Sequence, residues 1–127
     1  MKKILLLMIL TMMAFSDIKI MTSTKSHITN VSLEDLAKIY LKKKDTINGI
    51  KVIPIDNKDS YNEFCKKVIK KTPKQLRAYW MKEIYRGDKQ PPQKLSSSQI
   101  KQKMQKNSKI ISYSTNKLTG KVIFTIR

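Results

Sequence analysis

The stretch Thr72–Pro92, TPKQLRAYWMKEIYRGDKQPP, decides the fold. Thr72 is a helix N-cap. Pro73 suits the first helical position, where its missing N–H leaves nothing unpaired, and Gln75 completes a capping box. Leu76, Trp80 and Ile84 recur at about 3.6-residue spacing, which predicts a buried stripe. Gly87 is placed for a left-handed stop, and Pro91-Pro92 prevent the helix from resuming. The only Trp of the chain sits mid-helix. This grammar specifies a scaffold helix, so chemistry has to be sought on either side of it.

Upstream, Ser60 and Glu63 have capping-box spacing, and Tyr61, Phe64, Cys65, Val68 and Ile69 mark the inward side of a helix leading into the Thr72 helix. Residues 50–55, IKVIPI, read as a strand. Pro54 assigns that strand to an edge or terminal position, because proline cannot donate to a ladder. Asn48-Gly49 marks a turn. Ser32 caps an earlier helix with Asp35 at its third position, Val31 and Leu36 have staple spacing, and Leu33, Leu36, Ala37, Ile39 and Tyr40 give the apolar face to about Leu41. Lys42, Lys43 and Lys44 favour the carboxyl end of that helix. Residues 17–23 form a first strand, followed by a polar loop over 22–30.

Downstream, Ser96 and Gln99 repeat the capping box, Leu95 and Ile100 the staple, and helix runs to about Lys106. Residues 110–113 and 122–126 read as strands, with Gly120 in the turn over 116–121. The order is strand, helix, strand, three helices, strand, strand. That is one small α/β layer domain, a mixed β-sheet flanked by helices.

The first residues read differently. Lys2 and Lys3 precede an apolar run from Ile4 to Phe15, with small Ala14 and Ser16 ahead of Asp17. This is the pattern of a secretory signal over 1–16, too short for a convincing span. Cleavage before Asp17 is the expectation, a retained anchor or a cytoplasmic start the alternatives. The domain is then 17–127, periplasmic or otherwise secreted.

The 127 residues carry 27 Lys and Arg against 9 Asp and Glu, a formal charge of +18. Such a surface attracts anions, polyanionic glycans and anionic headgroups. The lysines are scattered rather than patterned, and export removes nucleic acid as a partner. Cys65 is the only Cys, so no intrachain disulfide framework exists, and its place in an apolar stripe makes it a small buried hydrophobe. The sole His, His27, is in a loop. One His, one Cys and scattered carboxylates have no metal-ligand spacing, and no nucleophile elbow, Walker loop or dinucleotide fingerprint occurs. Neither catalysis, metal nor cofactor is expected.

Two strand-to-helix turns are candidates for an anion, which hydroxyls and unpaired backbone N–H groups can hold. The first is Ser23, Thr24, Lys25 and Ser26, running to His27. The second is Asp56–Tyr61, with Asn57, Lys58, Ser60 and Tyr61; Asp56 and Asp59 bring opposing charge there. Ser60 is expected to cap its helix first. Arg77 stands out in a Lys-dominated chain, and its fork can hold an acidic neighbour such as Glu83 or a bound anion. Tyr79, Trp80 and Tyr85 are expected to pack between helix and sheet.

These pieces resemble the phosphate-transporter substrate-binding proteins of the periplasmic binding protein type 2 superfamily. The resemblance rests on residues 31–56, VSLEDLAKIYLKKKDTINGIKVIPID, on 59–69, on 72–92 and on 109–122. Val31–Leu36 with Ile39-Tyr40 matches a Leu-Ser/Thr-x-x-Glu-Leu helix, and Lys109–Tyr113 loosely matches a Gly-Ala-Ile-Gly-Tyr strand. Leu76–Trp80, Gly87 and the proline pair look like the short, single-lobe members. The resemblance implies one lobe of such a binding protein. Full-length members bind a tetrahedral oxyanion between two lobes, through a Gly-Ser-Gly-Thr helix start. Here Asp56–Tyr61 lacks the glycines, Tyr61 is bulky, and Ser60 alone keeps a hydroxyl. The usual Trp after Lys43-Lys44 is also missing.

The expectation is an exported, non-enzymatic solute-binding-like protein whose partner is phosphate or another small oxyanion. The alternative is a periplasmic accessory or scaffold module that contacts another envelope protein.

Overall fold

The computed structural model describes residues 17–87, 89–116 and 120–127. The signal expected over 1–16 and half of the turn expected over 116–121, residues 117–119, lie outside them. The elements are β1 (Ile18–Thr22), α1 (Leu33–Tyr40), β2 (Thr46–Ile47), β3 (Ile50–Lys51) and β4 (Ile53–Asn57). Then come α2 (an α turn at Tyr61–Phe64 continuing as a π turn at Cys65–Ile69), α3 (Pro73–Tyr85), β5 (Gln93–Leu95), α4 (Ser97–Lys106), β6 (Ile110–Ser114) and β7 (Lys121–Ile126).

Five strands form one open sheet in the order β5-β4-β6-β1-β7. β4 is parallel to β5 and β6, while β1 is antiparallel to β6 and β7, so the sheet is mixed. Alternating side chains divide the core in two. Ile18 and Ile20 of β1 and Ile111 and Tyr113 of β6 face α1, α2 and α3. Met21, Ile55 and Ile110 face the other way, onto Ile100 and Met104 of α4. The sheet is therefore covered on both sides, as its parallel part requires.

The caps at Ser32, Thr72 and Ser96 form as expected. Ser32 Oγ accepts from Asp35 N, and complete capping boxes close at Thr72/Gln75 and Ser96/Gln99. Gly87 takes its left-handed stop at φ 78°.

Five expectations are corrected. Residues 50–55 are two strands rather than one. Asn48 and Gly49, both at positive φ, close a tight β2–β3 hairpin, and β4 starts afresh at Ile53. β4 is not at the edge of the sheet: it is flanked by β5 and β6. Pro54 is tolerated because it lies near the strand's start, before β5 begins pairing at Ile55. Its neighbour Ile53 donates across to Lys109 O at 2.8 Å, so the proline nitrogen faces the side β5 has not reached. Ile84 is exposed rather than buried, and Tyr85 is exposed rather than packed between helix and sheet, because only Leu76 and Trp80 of α3 are buried in the core. Finally, Ser60 precedes α2 but makes no side-chain cap bond. Its φ of −111° and ψ of 8° are not the extended geometry that aims a cap hydroxyl at the first turn.

Tyr40 does something its place in an apolar stripe does not reveal. Its hydroxyl enters the sheet where β4 and β6 part, 3.1 Å from Ile55 O and 3.2 Å from Ile111 O. Ser112 Oγ donates to the same Ile55 carbonyl at 2.8 Å. Side chains thus replace ladder bonds at the carboxyl end of β4. At the same carboxyl end of α1, Tyr79 donates to Leu41 O at 2.7 Å and ties α3 to a helix-terminal carbonyl.

Candidate functional site

In an open sheet with parallel strands, the carboxyl ends of those strands are where backbone turns away and leaves room for a ligand. Here that place is the end of β4 and β5. Asp56 faces the α1–α3 side of the sheet among aromatic rings. Phe64 stacks on Tyr113 with centroids 3.8 Å apart, and Tyr40 meets Phe64 edge-on at 4.6 Å. Tyr113 donates its hydroxyl to Asp56 Oδ1 at 2.7 Å. Burial pushes the Asp56 carboxyl up to about 6, opposed by the Tyr113 bond and by Lys94 nearby. The same burial, with Asp56 beside it, holds the Tyr113 phenol far above its ordinary value.

Asn57 governs the turn that follows. It is fully buried, donates to Tyr113 O at 3.0 Å and Ser97 Oγ at 3.2 Å, and accepts from Asp59 N at 2.9 Å. Lys58 N donates to Leu95 O at 2.9 Å, joining the turn to β5. Ser60 is buried under it, and the Lys58 side chain is exposed. The amides at Lys58 and Asp59 are therefore already committed within the protein.

Above this turn lies a cavity of about 340 Å³ between α3 and the chain entering β5. Its walls are Leu76, Trp80, Met81 and Ile84 of α3 and Pro91-Pro92 opposite. Asp56 and Tyr61 contribute from the turn, and Arg77 and Lys94 bring positive charge. Lys94 Nζ lies 3.5 Å from the centre of the Tyr61 ring, a cation–π contact. Glu83, a partner considered for Arg77, pairs instead with Arg86 at 3.8 Å. Among the described residues no ion pair holds Arg77.

Of the residues singled out from the sequence, Tyr61 and Arg77 share this cavity, while Asn57 and Ser60 are buried beside it in the turn and do not line it. The first turn is elsewhere. β1 runs against β6, and Thr22 pairs with Ile111, which also pairs with Pro54 at the start of β4. Ser23–Ser26 thus sits at the amino end of β4, opposite Asp56–Tyr61. Its groups serve the turn itself: Ser23 Oγ accepts from Lys25 N, Ser26 Oγ from Ile28 N, and Ser26 O from Lys121 Nζ. Ser23, Thr24 and Lys25 line a separate cavity of about 250 Å³ with Met104, Gln105 and Gly120.

Lys94 was missed by sequence reasoning, although a basic residue two positions after Pro91-Pro92 was a usable signal. The Cys65 thiol is buried and pushed above its ordinary value by that burial, which keeps it protonated and unreactive. Among the described residues no group of three or more His, Cys, Asp or Glu could hold a metal ion. No described helix is long and apolar enough to cross a membrane.

The architecture is an open, mixed α/β sheet covered by helices, and its fold is similar to part of several solved binding proteins. It superposes on PstS of Borrelia burgdorferi with a TM-score of 0.55 at 20% identity, over 79% of this chain and 41% of that one. An ABC-type phosphate transport receptor of Vibrio cholerae gives 0.52 at 15% identity, over 84% and 44%. A Clostridium perfringens substrate-binding protein with bound phosphate gives 0.53 at 16%, over 76% and 38%. The chain thus spans about two fifths of the length of each structure. No protein-family profile matches it, and no curated protein does.

Proposed function

We propose that this is an exported, non-enzymatic solute-binding-like module, with a signal at 1–16 and a single binding-protein lobe over 17–127. In this reading the lobe takes a small anion, phosphate or a related oxyanion, at the carboxyl ends of β4 and β5. One observation carries it: Arg77 and Lys94 line one cavity there, and neither forms a salt bridge among the described residues, with Asp56 the one acid near Lys94. A guanidinium fork and an ammonium on a concave face are the donors an anion needs. Two of the solved structures with a similar fold, from Clostridium perfringens and Vibrio cholerae, are phosphate-transport proteins by name, which supports the choice of anion. Calorimetric titration with phosphate and sulfate at moderate salt tests it. Saturable heat in the wild type that is lost in Arg77→Ala is the expected result. No heat, or equal heat in the variant, counts against anion binding at this face.

A second reading has its own support. Met81, Ile84 and Tyr85 on α3 are 72%, 53% and 94% exposed, an apolar strip beside the cavity. Such strips are common contact surfaces. An accessory role would use it to hold another envelope protein. Stoichiometric recovery of one such protein by the wild type, and its loss with Met81→Glu/Tyr85→Glu, separates this reading from the first.

A further inference from the structure

We propose that the cavity under α3 is built for a small organic anion, one charged head on an apolar body, rather than for a bare inorganic oxyanion. This rests on the reading that the face binds anions at all, and it specifies their class. A dehydrated inorganic oxyanion needs donors around its whole surface to replace its water, because an unpaired buried charge is very costly. This cavity supplies two cationic side chains, Arg77 and Lys94, and both belong to exposed residues that water also reaches. The amides of the neighbouring turn, the nearest groups for completing a cradle, are spent on Asn57 Oδ1 and Leu95 O. Asp56 on the cavity wall adds a carboxyl that repels a dianion.

The rest of the lining answers to a different ligand. Leu76, Trp80, Ile84 and the proline pair make most of the wall, and an apolar body gains about 25 cal/mol for each Å² it removes from water there. Small-molecule sites combine apolar walls with few placed polar groups, over roughly 300–1,000 Å³. The volume of about 340 Å³ falls at the small end of that range. Arg77 and Lys94 then fix one end of the ligand, a carboxylate or a phosphate monoester, and α3 with Pro91-Pro92 grip the other.

Trp80 lines the cavity and is the only Trp of the chain, so its fluorescence reports occupancy without a label. The full-length protein is titrated with 3-phenylpropionate and phenyl phosphate, each set against its truncated counterpart, acetate or methyl phosphate, and against inorganic phosphate. Calorimetry runs in parallel. The phenyl compounds should bind at least tenfold more tightly than their counterparts and change Trp80 emission. Arg77→Gln should weaken every anion. Ile84→Ser, at an exposed position that leaves the core intact, should weaken only the phenyl compounds. The two phenyl ligands tell a carboxylate head from a phosphate head. Inorganic phosphate binding as tightly as phenyl phosphate would overturn the inference and leave the anion-binding reading standing. Heat without a Trp80 response would place binding elsewhere and overturn it too. No anion of any kind binding would remove both.

Discussion

Tyr113 donates its phenolic hydrogen to Asp56 Oδ1 across 2.7 Å inside the sheet's three-helix face. The bond eases a carboxylate that burial would otherwise neutralise, and the acid still titrates at about 6 against an ordinary 3.8. Between those values the folded chain binds more protons than the unfolded one. Stability therefore falls as pH rises from about 4 to about 6, and levels off above. The whole fall is at most about 3 kcal/mol. Asp56→Asn keeps an acceptor for Tyr113 and carries no charge. Denaturation from pH 3 to 8 should show wild type losing stability relative to this variant across that window. Parallel curves would mean Asp56 is not held as described.

Tyr113→Phe keeps the ring stacked on Phe64 and deletes the donor. Loss of a hydrogen bond to a charged group costs about 1.5–3 kcal/mol. The Asp56 carboxyl should then titrate above its wild-type value, as read by NMR of the carboxyl carbon. A downward shift would contradict the assigned direction of the bond.

The turn under the cavity separates two neighbours. Asn57→Ala strands the buried Tyr113 O, at about 1–3 kcal/mol, and releases the part-buried Asp59 N, which water can partly satisfy. Ser60→Ala removes no cap bond and should cost less than the roughly 1 kcal/mol typical of a lost cap. Thr72→Ala, which opens a complete capping box, is the positive control. Chemical denaturation ranks all three, and Ser60→Ala matching Thr72→Ala would show that Ser60 caps after all.

On α3, Trp80 is 8% exposed and Ile84 53%. Trp80→Ala should cost about 3–5 kcal/mol. Ile84→Ala should stay within about 0.5 kcal/mol, as exposed substitutions do. Similar losses at both positions would place Ile84 in the core.

Gly120 and Gly49 both have positive φ, but their surroundings differ. A Cβ on Gly120 would lie 2.0 Å from Thr22 O, whereas one on Gly49 meets nothing within 4 Å. Gly49→Ala should cost about 1–2 kcal/mol, the penalty of left-handed backbone. Gly120→Ala must also displace the end of β1 and should melt well below it. Equal melting temperatures would reject that close approach.

What could be read from the sequence was local. Thr72 with Gln75 and Ser96 with Gln99 satisfy helix ends within four residues, so their spacing is their mechanism. Ser60 and Glu63 have the same spacing, but Asn57 shapes the chain ahead of α2 and leaves Ser60 in the wrong geometry. β5 is three residues long with two exposed, so it shows no alternation to detect. Pro54 looked like an edge residue because its tolerance depends on where β5 starts, a fact of register between distant segments. Ile84 keeps the helical period, yet at that point the helix face looks onto a cavity. Arg77 and Tyr61 were visible as candidates. Their meeting with Lys94 was not, since it depends on parallel pairing across the long crossover from β4 to β5.

The pairing of Ile18 with Ile126 sets the order in which the protein can be made. Among the described strands β1 neighbours only β6 and β7, and both leave the ribosome after every other described element. Until then its apolar side chains and both of its hydrogen-bonding edges stay unsatisfied, the state in which a strand is most prone to join a foreign one. Closing so long a loop also slows the search for the native pairing. A nascent chain halted before Ile110 should therefore remain protease-sensitive and depend on a holding chaperone, while a chain extended past Ile126 should close quickly around β1.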